Sequence, residues 1–345
     1  MQTVAQMIKR LGILLTIGMS VLCGMRTVYA QDVHFSQFYA NPLYMNPAFA
    51  GSRICPRIIT NFREQWPSVS GDFMSYSASF DQHFEALSGG VGVLFLGDQA
   101  AMGTVRTNAF SLIYSYKLDI TQKVAMRMAL QGTFQQKTLD WTKLTFGDMI
   151  DPKFGFVYDT KEEVKYLSKG LLDFSLGMVV YSDKYYGGVA LNHFTQPKEG
   201  FLVETDGSMS NLPMKITAHG GAVFNIKQTS KMHNSFGDMS LSPNLVFQYQ
   251  AKMSNGAAYT TLNMGTYFKA YPLTVGAWYR MGFENPDAVI LLFGMEYENV
   301  KLGYSYDMTI SKFTETGGAH EVSLQIQLPC MEKTARIRPI KCPSF

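Results

Sequence analysis

The sequence predicts an all-β fold: a transmembrane antiparallel up-and-down β-barrel of about fourteen strands with an N-terminal plug segment. Three observations carry this. Apolar and polar residues alternate with a period of two along most of the chain. The composition is aromatic (13%) and glycine-rich (30 residues), with only 17% charged residues and a mean hydropathy of −0.03. That is too apolar for a loose secreted chain and too evenly mixed for a helical membrane protein. Connections alternate between short and long, as barrel turns and loops do.

Residues 1–30 read as a cleaved signal peptide. Lys9 and Arg10 precede the apolar run Leu11 to Cys23, and Val28-Tyr29-Ala30 forms the cleavage site. The run is too short to span a bilayer as a helix. A lipoprotein signal ending at Cys23 is disfavoured, because Leu22 stands where a small residue is needed. Loss of Lys9, Arg10 and Arg26 leaves 27 basic and 27 acidic side chains. A neutral chain argues against nucleic acid as a partner.

Residues 31–55, the plug or periplasmic segment, contain QDVHFSQFYANPLYMNPAFAG. Phe35, Phe38, Tyr39, Leu43, Tyr44, Met45 and Phe49 demand burial, each worth on the order of 1.5–3 kcal/mol. Asn41-Pro42 and Asn46-Pro47 break any strand, so the segment cannot join a lipid-facing sheet. Burial in the lumen or against a partner remains. Phe35, Phe38 and Tyr39 fit one helical turn. Asn41-Pro42 and Asn46-Pro47 would fold the chain back, with Ala48 a further contact residue of the plug, and Gly51 would let it enter the first strand. Lumen-facing Arg63 and Arg127 are expected to bond its Asn side chains and carbonyls, closing the channel at rest.

Residues 56–328 hold the barrel, with strands expected near 56–66, 73–82, 89–97, 105–117, 123–136, 170–182, 184–194, 214–227, 241–252, 257–269, 272–283, 286–297, 299–310 and 318–328. In Phe73 to Asp81, Met74, Tyr76, Ala78 and Phe80 alternate with Ser75, Ser77, Ser79 and Asp81. In Val124 to Gln135, Met126, Met128, Leu130 and Phe134 alternate with Arg127, Ala129, Gln131 and Thr133. If the first strand rises from the periplasm, the turns at Leu118 to Gln122, Ser182-Asp183, Ala270-Tyr271 and Glu298 are inner and short. Lys137 to Lys169 and Thr195 to Pro213 are outer and long, while Lys227 to Ser240 breaks the pattern. A secreted sandwich would also alternate. The full-length apolar face and the tyrosines Tyr114/Tyr116, Tyr185/Tyr186 and Tyr267/Tyr271 near strand ends point instead to interfacial girdles.

Residues 329–345 form a basic periplasmic tail, in which Arg338, Pro339, Lys341 and Phe345 are candidate contacts for a partner. Closure of a barrel puts Cys55, Cys330 and Cys342 at one rim. A Cys55–Cys342 disulfide is expected, with Cys330 as the geometric rival. The six histidines show no metal spacing, and no G-x-S-x-G, P-loop or dinucleotide fingerprint is present. Catalytic, cofactor and metal residues are therefore expected to be none, although lumen acids such as Asp81 and Glu321 leave a barrel hydrolase as a lesser alternative.

FSQFYANPLYMNPAFAG resembles the start of the PorP/SprF family of outer-membrane proteins of the type IX secretion and gliding machinery. The resemblance continues in NFREQWP (61–67), ALNHFTQP (190–197), WYR (278–280), LGYSYDMTISKF (302–313), GGAHEVSL (317–324) and RPIKCPSF (338–345). It implies a non-enzymatic, monomeric outer-membrane barrel within a larger complex. Its partners would be periplasmic ring proteins, or a secreted surface protein such as a gliding adhesin that it helps to export or attach, beside outer-membrane lipid. MNPAFAG is also similar to the Asn-Pro-Ala hatch of FadL-type barrels, which leaves small-ligand or porin-like transport as the alternative.

Overall fold

Strands of alternating polarity cannot bury both faces in a single sheet, so closure into a ring gives each face its own solvent. The structure, a computed structural model, describes residues 32–330 apart from 54, 70, 72, 152, 162–166, 202–210, 228–237, 251–257, 283–285 and 311–315. The leader 1–30 and the tail residues Arg338, Pro339, Lys341, Cys342 and Phe345 lie outside the described residues.

Fourteen strands form the ring: β1 Arg57–Gln65, β2 Phe73–Phe84, β3 Gly89–Ala100, β4 Val105–Asp119, β5 Ala125–Leu139, β6 Ser168–Tyr181 and β7 Tyr185–Asn192. They continue as β8 Lys215–Ala222 with Phe224–Lys227, β9 Met239–Gln250, β10 Tyr259–Ala270, β11 Leu273–Gly282, β12 Pro286–Tyr297, β13 Val300–Thr309 and β14 Ala319–Gln327. Val223 interrupts β8, but both pieces pair with β9, so they are one strand. Each strand lies antiparallel to its sequence neighbour, and β14 returns to β1 with Arg57 opposite Gln327. The sheet is thereby a closed barrel.

Inward positions carry the polar residues. Ser75, Ser77, Ser79 and Asp81 of β2 are buried, as are Arg127, Ala129 and Gln131 of β5. Their outward neighbours Met128, Leu130 and Phe134 are exposed on the lipid face. Short connections gather at the end where β1 begins, for example 182–184 and Glu298-Asn299, and the long connections 140–167 and 193–214 gather at the other end. A two-stranded ribbon, Ile150–Asp151 with Gly155–Phe156, stands within 140–167.

Two expectations need correction. Tyr114, Tyr116 and Tyr185 are exposed, but Tyr186 and Tyr267 are buried lumen residues rather than part of a girdle. They sit in the inward phase of β7 and β10, where they pack on Tyr39. The disulfide joins Cys55 to Cys330, not to Cys342, with Cα atoms 4.6 Å apart. Leu328 N–H donates to Pro56 O at 2.8 Å, so the β1–β14 ladder carries on to the very residues that flank this bridge.

Candidate functional site in the lumen

The segment from Val33 to Ser52 lies within the barrel. Its prolines set local structure: Pro42 opens the helical turn α1 Pro42–Met45, and Pro47 opens the 3-10 turn Pro47–Phe49. Proline suits a first helical position because its missing N–H has no intrahelical partner there. Asn46 caps the second turn, its Oδ1 accepting from Ala48 N at 2.9 Å. Leu43 and Ala48 are fully buried.

Three sets of anchors hold the segment. The first surrounds Ser36-Gln37. Glu321 accepts from the backbone N–H of Ser36 (2.7 Å) and of Gln37 (3.2 Å). Ser36 Oγ donates to Asp307 Oδ2 and accepts from Arg63 NH1 (2.8 Å) and Arg280 NH1 (3.2 Å). The guanidiniums in turn pair with carboxylates: Arg63 with Asp307 at 3.0 Å and Glu321 at 3.3 Å, and Arg280 with Asp307 at 3.0 Å. Gln37 Nε2 donates to Glu321 O (2.8 Å), and its Oε1 accepts from Ser323 Oγ (2.6 Å). Two arginines and two acids are thus buried as mutually paired charges, the pairing that makes buried charge tolerable, while Arg63 Nε and Asp307 Oδ1 keep no hydrogen-bond partner among the described residues. Strands β1, β11, β13 and β14 each supply one charge. Arg63, Arg280, Asp307 and Glu321 come from four of the stretches that carried the family resemblance.

The second set is aromatic and amide. Phe38 lies 5.0 Å from Trp278, and Tyr39 lies 5.7 Å from Tyr186. Phe35 packs instead on Tyr44 of its own segment, at 5.3 Å, so the expected single face of Phe35, Phe38 and Tyr39 does not form. The helical turn begins only at Phe38, which turns Phe35 away. Asn41 Nδ2 donates to Ser77 Oγ (2.9 Å). Asn46 Nδ2 reaches Met178 O (3.1 Å), Val189 O (3.2 Å) and His219 Nε2 (3.1 Å). Gly177 makes room for this turn, since a Cβ there would stand 2.3 Å from Asn46 Oδ1.

The third set fixes the exit. Gly51 N–H donates to Asp81 Oδ2 (2.7 Å), while Arg57 holds Asp81 Oδ1 (2.6 Å) and donates to Phe49 O (3.2 Å). Arg127 NH1 donates to Ala50 O (3.0 Å), the carbonyl contact expected of it. Arg63 binds Ser36 rather than an asparagine, because Asn41 and Asn46 lie deeper along the lumen beside Ser77 and Gly177. Gly51 has φ +64°, and a Cβ on it would meet Gly90 Cα at 2.5 Å.

The anchors span much of the barrel. Arg63 stands six positions beyond Arg57 on β1, about 20 Å along the strand at the usual rise. Ser36 therefore sits towards the long-loop end, and Gly51 at the short-turn end. Residues 193–200 add a second inward element, with His193 and Thr195 on Asp173 (2.8 Å each) and Glu199 on Lys137 (3.0 Å). Among the described residues, no group of His, Cys, Asp or Glu has metal-binding geometry.

A family model described as type IX secretion system membrane protein PorP/SprF matches residues 27–326. Solved structures of similar fold include the Ralstonia pickettii toluene transporter TbuX, at 8% identity and a TM-score of 0.48, covering 83% of this chain and 93% of that one. The CymD monoaromatic hydrocarbon channel is 10% identical with a TM-score of 0.49, over 84% and 93%. The Acinetobacter baumannii outer membrane protein Omp33 is 8% identical with a TM-score of 0.42, over 81% and 100%. No curated protein matches the chain.

Proposed function

The chain belongs to the PorP/SprF family of type IX secretion system membrane proteins, and from that premise we propose that it is a non-enzymatic outer-membrane component with a closed lumen. It couples to the periplasmic ring of the machine, or assists export and surface attachment of one large substrate such as a gliding adhesin. Its short-turn end and both termini face the periplasm. The observation that supports this reading is the anchoring of Ser36-Gln37 by charges from four strands. A segment held that firmly suits a stopper or a fixed structural part better than a freely permeable pore.

The test has two arms. Replacing Asn46-Pro47-Ala48 by Gly-Ser-Gly removes the cap and the contacts to Met178, Val189 and His219. Single-channel conductance in planar bilayers should rise from near zero. Wild-type protein that already conducts as an open porin would refute the closed lumen and favour the small-solute transport alternative. In cells, deletion of Arg338 to Phe345 should leave the barrel inserted yet abolish copurification with ring components or export of the substrate. Normal export by the truncated protein would remove the tail from the proposal.

A further inference from the structure

At the short-turn end of the barrel, a strand that outruns its neighbour is soon capped. Past the pair Arg57/Asp81, β2 is covered by Gly51, which backs onto Gln82 and His83. Past Gly89/Tyr116, Lys117 N–H of β4 donates to Ser88 O at 2.9 Å. Past Leu273/Met295, Glu296 N–H of β12 donates to Pro272 O at 2.8 Å. Strand β8 is different. Its last partner on β7 is Tyr185, opposite Ala222, and Val223 N–H donates to Lys184 O at 2.8 Å. Phe224–Lys227 then runs on, paired with β9 on one side and with no described strand on the other. Its four residues are all exposed. Here begins the 227–240 connection, the one whose length departs from the short turns of this end.

An open strand edge presents a row of N–H and C=O groups, and an extended main chain is what pairs with them. The charges beside this edge narrow the choice of chain. Lys184 adjoins Val223 at one end and Lys227 stands at the other, about 13 Å further along the strand. Both lysines are exposed, and neither forms an ion pair among the described residues. Asp183 lines a cavity of about 340 Å³ on the side of its turn away from β8, together with Lys117 and Lys123. Asp238, across the hairpin, has an interaction of its own. Between the lysines lies apolar surface: the rings of Tyr185 and Phe224 meet at 6.4 Å, and Ile226 is 61% exposed.

We propose that the edge Phe224–Lys227 takes an extended acidic segment of another protein as an added strand. Its backbone completes the ladder that β7 leaves off. Acidic side chains about four residues apart reach Lys184 and Lys227, and apolar ones between them cover Phe224 and Ile226. The chain's own tail carries the wrong sign, with Lys333, Arg336, Arg338 and Lys341 against a single acid, Glu332. A second copy fits no better. Copies in one membrane are related by rotation about its normal, so their β8 strands run the same way. An antiparallel pair of these edges would also set lysine against lysine. The partner is a periplasmic protein on the reading above that the short-turn end faces the periplasm.

The test uses the full mature protein in detergent and fluorescent synthetic peptides, read by anisotropy. Glu-Val-Thr-Val-Glu flanked by serines should bind saturably, with a Kd on the order of 100 μM. Lys-Val-Thr-Val-Lys should bind about tenfold more weakly, since two exposed ion pairs become two repulsions. The glutamate peptide N-methylated at its three central residues keeps its charges but cannot complete the ladder, and should not bind. The double variant Lys184→Glu, Lys227→Glu should reverse the preference. No binding of the glutamate peptide, equal binding of its N-methylated form, or an unreversed preference in the variant overturns the site. Binding that appears only when residues 331–345 are deleted puts the tail on the edge, and a dimer that the peptide dissociates puts a second copy there; either result also overturns the proposal. Detergent leaves both ends of the barrel open, so none of these outcomes depends on orientation. Labelling of the short-turn end on intact cells would refute the periplasmic reading and leave the edge standing.

Discussion

Valine at position 177 would put methyl groups where the Asn46-Pro47-Ala48 turn now lies, with Pro47 Cγ only 2.8 Å from the first added carbon. Gly177→Val should lower stability by about 1–3 kcal/mol, the usual cost of overpacking. Urea unfolding of liposome-reconstituted protein measures it. Leu176→Val, on the outward face beside it, should change little. At the Ser36 network the order of effects distinguishes charge from hydrogen bonding. Arg63→Ala leaves Asp307 and Glu321 short of a counter-charge in a buried site and should cost about 3–5 kcal/mol. Ser36→Ala removes one hydroxyl while Arg280 still holds Asp307, and should cost about 1 kcal/mol. Equal effects would contradict the network described. Ser36 and Gln37 were not singled out in the sequence. The large side chains around them gave a burial signal, whereas a Ser-Gln pair gives none. Their partners lie from 27 to 286 residues away, so only the closed ring brings them together.

At the scale of elements, strand phase was legible because lipid demands apolar residues at every second position for the full strand length. Ser75 to Asp81 and Arg127 to Gln131 fell inward as the alternation required. Tyr186 and Tyr267 were misread, since a tyrosine fits either an interface or a lumen that contains another tyrosine. The break of β8 at Val223 carries no signal in the alternation beyond the Gly220-Gly221 pair before it. Loop 140–167 shows order that its length alone did not suggest. The backbone N–H of Lys161 and the hydroxyl of Thr160 hold the Asp148 carboxyl below the usual carboxylate range. The backbone N–H groups of Lys153 and Phe154 do the same for Asp151. A depressed carboxylate stabilises the ordered loop fully above the unfolded value of about 4, and loses that contribution as pH falls through the lower folded value. Amide hydrogen exchange at Lys153 and Lys161, corrected for intrinsic rates, should therefore show constant protection from pH 7 down to about 5 and loss below about 4. Asp148→Asn should lose protection at Lys161 already at neutral pH.

For the whole molecule, the number of strands and the end at which each connection lies were readable from periodicity and loop length. The depth of the front segment was not, because prolines and aromatics say that a segment is buried but not how far it reaches. The choice of cysteine partner was equally hidden. Cys330 follows the last strand directly and wins by proximity, whereas Cys342 lies twelve residues further along the tail. Peptide mapping without reductant should recover a Cys55–Cys330 pair and Cys342 as a free thiol. The bridge closes a span of 275 residues, so Cys330→Ser should cost about 2–4 kcal/mol through the unfolded chain. A cysteine introduced at Thr145, in the long 140–167 connection, should label on intact cells, and one introduced at Ser182 should not.

The pairing of β1 with β14 is also a seam, the last line along which the ring is sewn shut. Arg63 and Glu321 face each other across it, the Cys55–Cys330 bridge ties its lower end, and Ser36-Gln37 straddles its upper part through Arg63 on one side and Glu321 and Ser323 on the other. The front of the chain is thus stitched into the join made by its first and last strands. A ring that closed with nothing inside would leave the Glu321 carboxylate without the two backbone donors it now holds. Filling the lumen and closing the wall therefore draw on the same side chains, and the front of the described chain completes the bonding of its last strand.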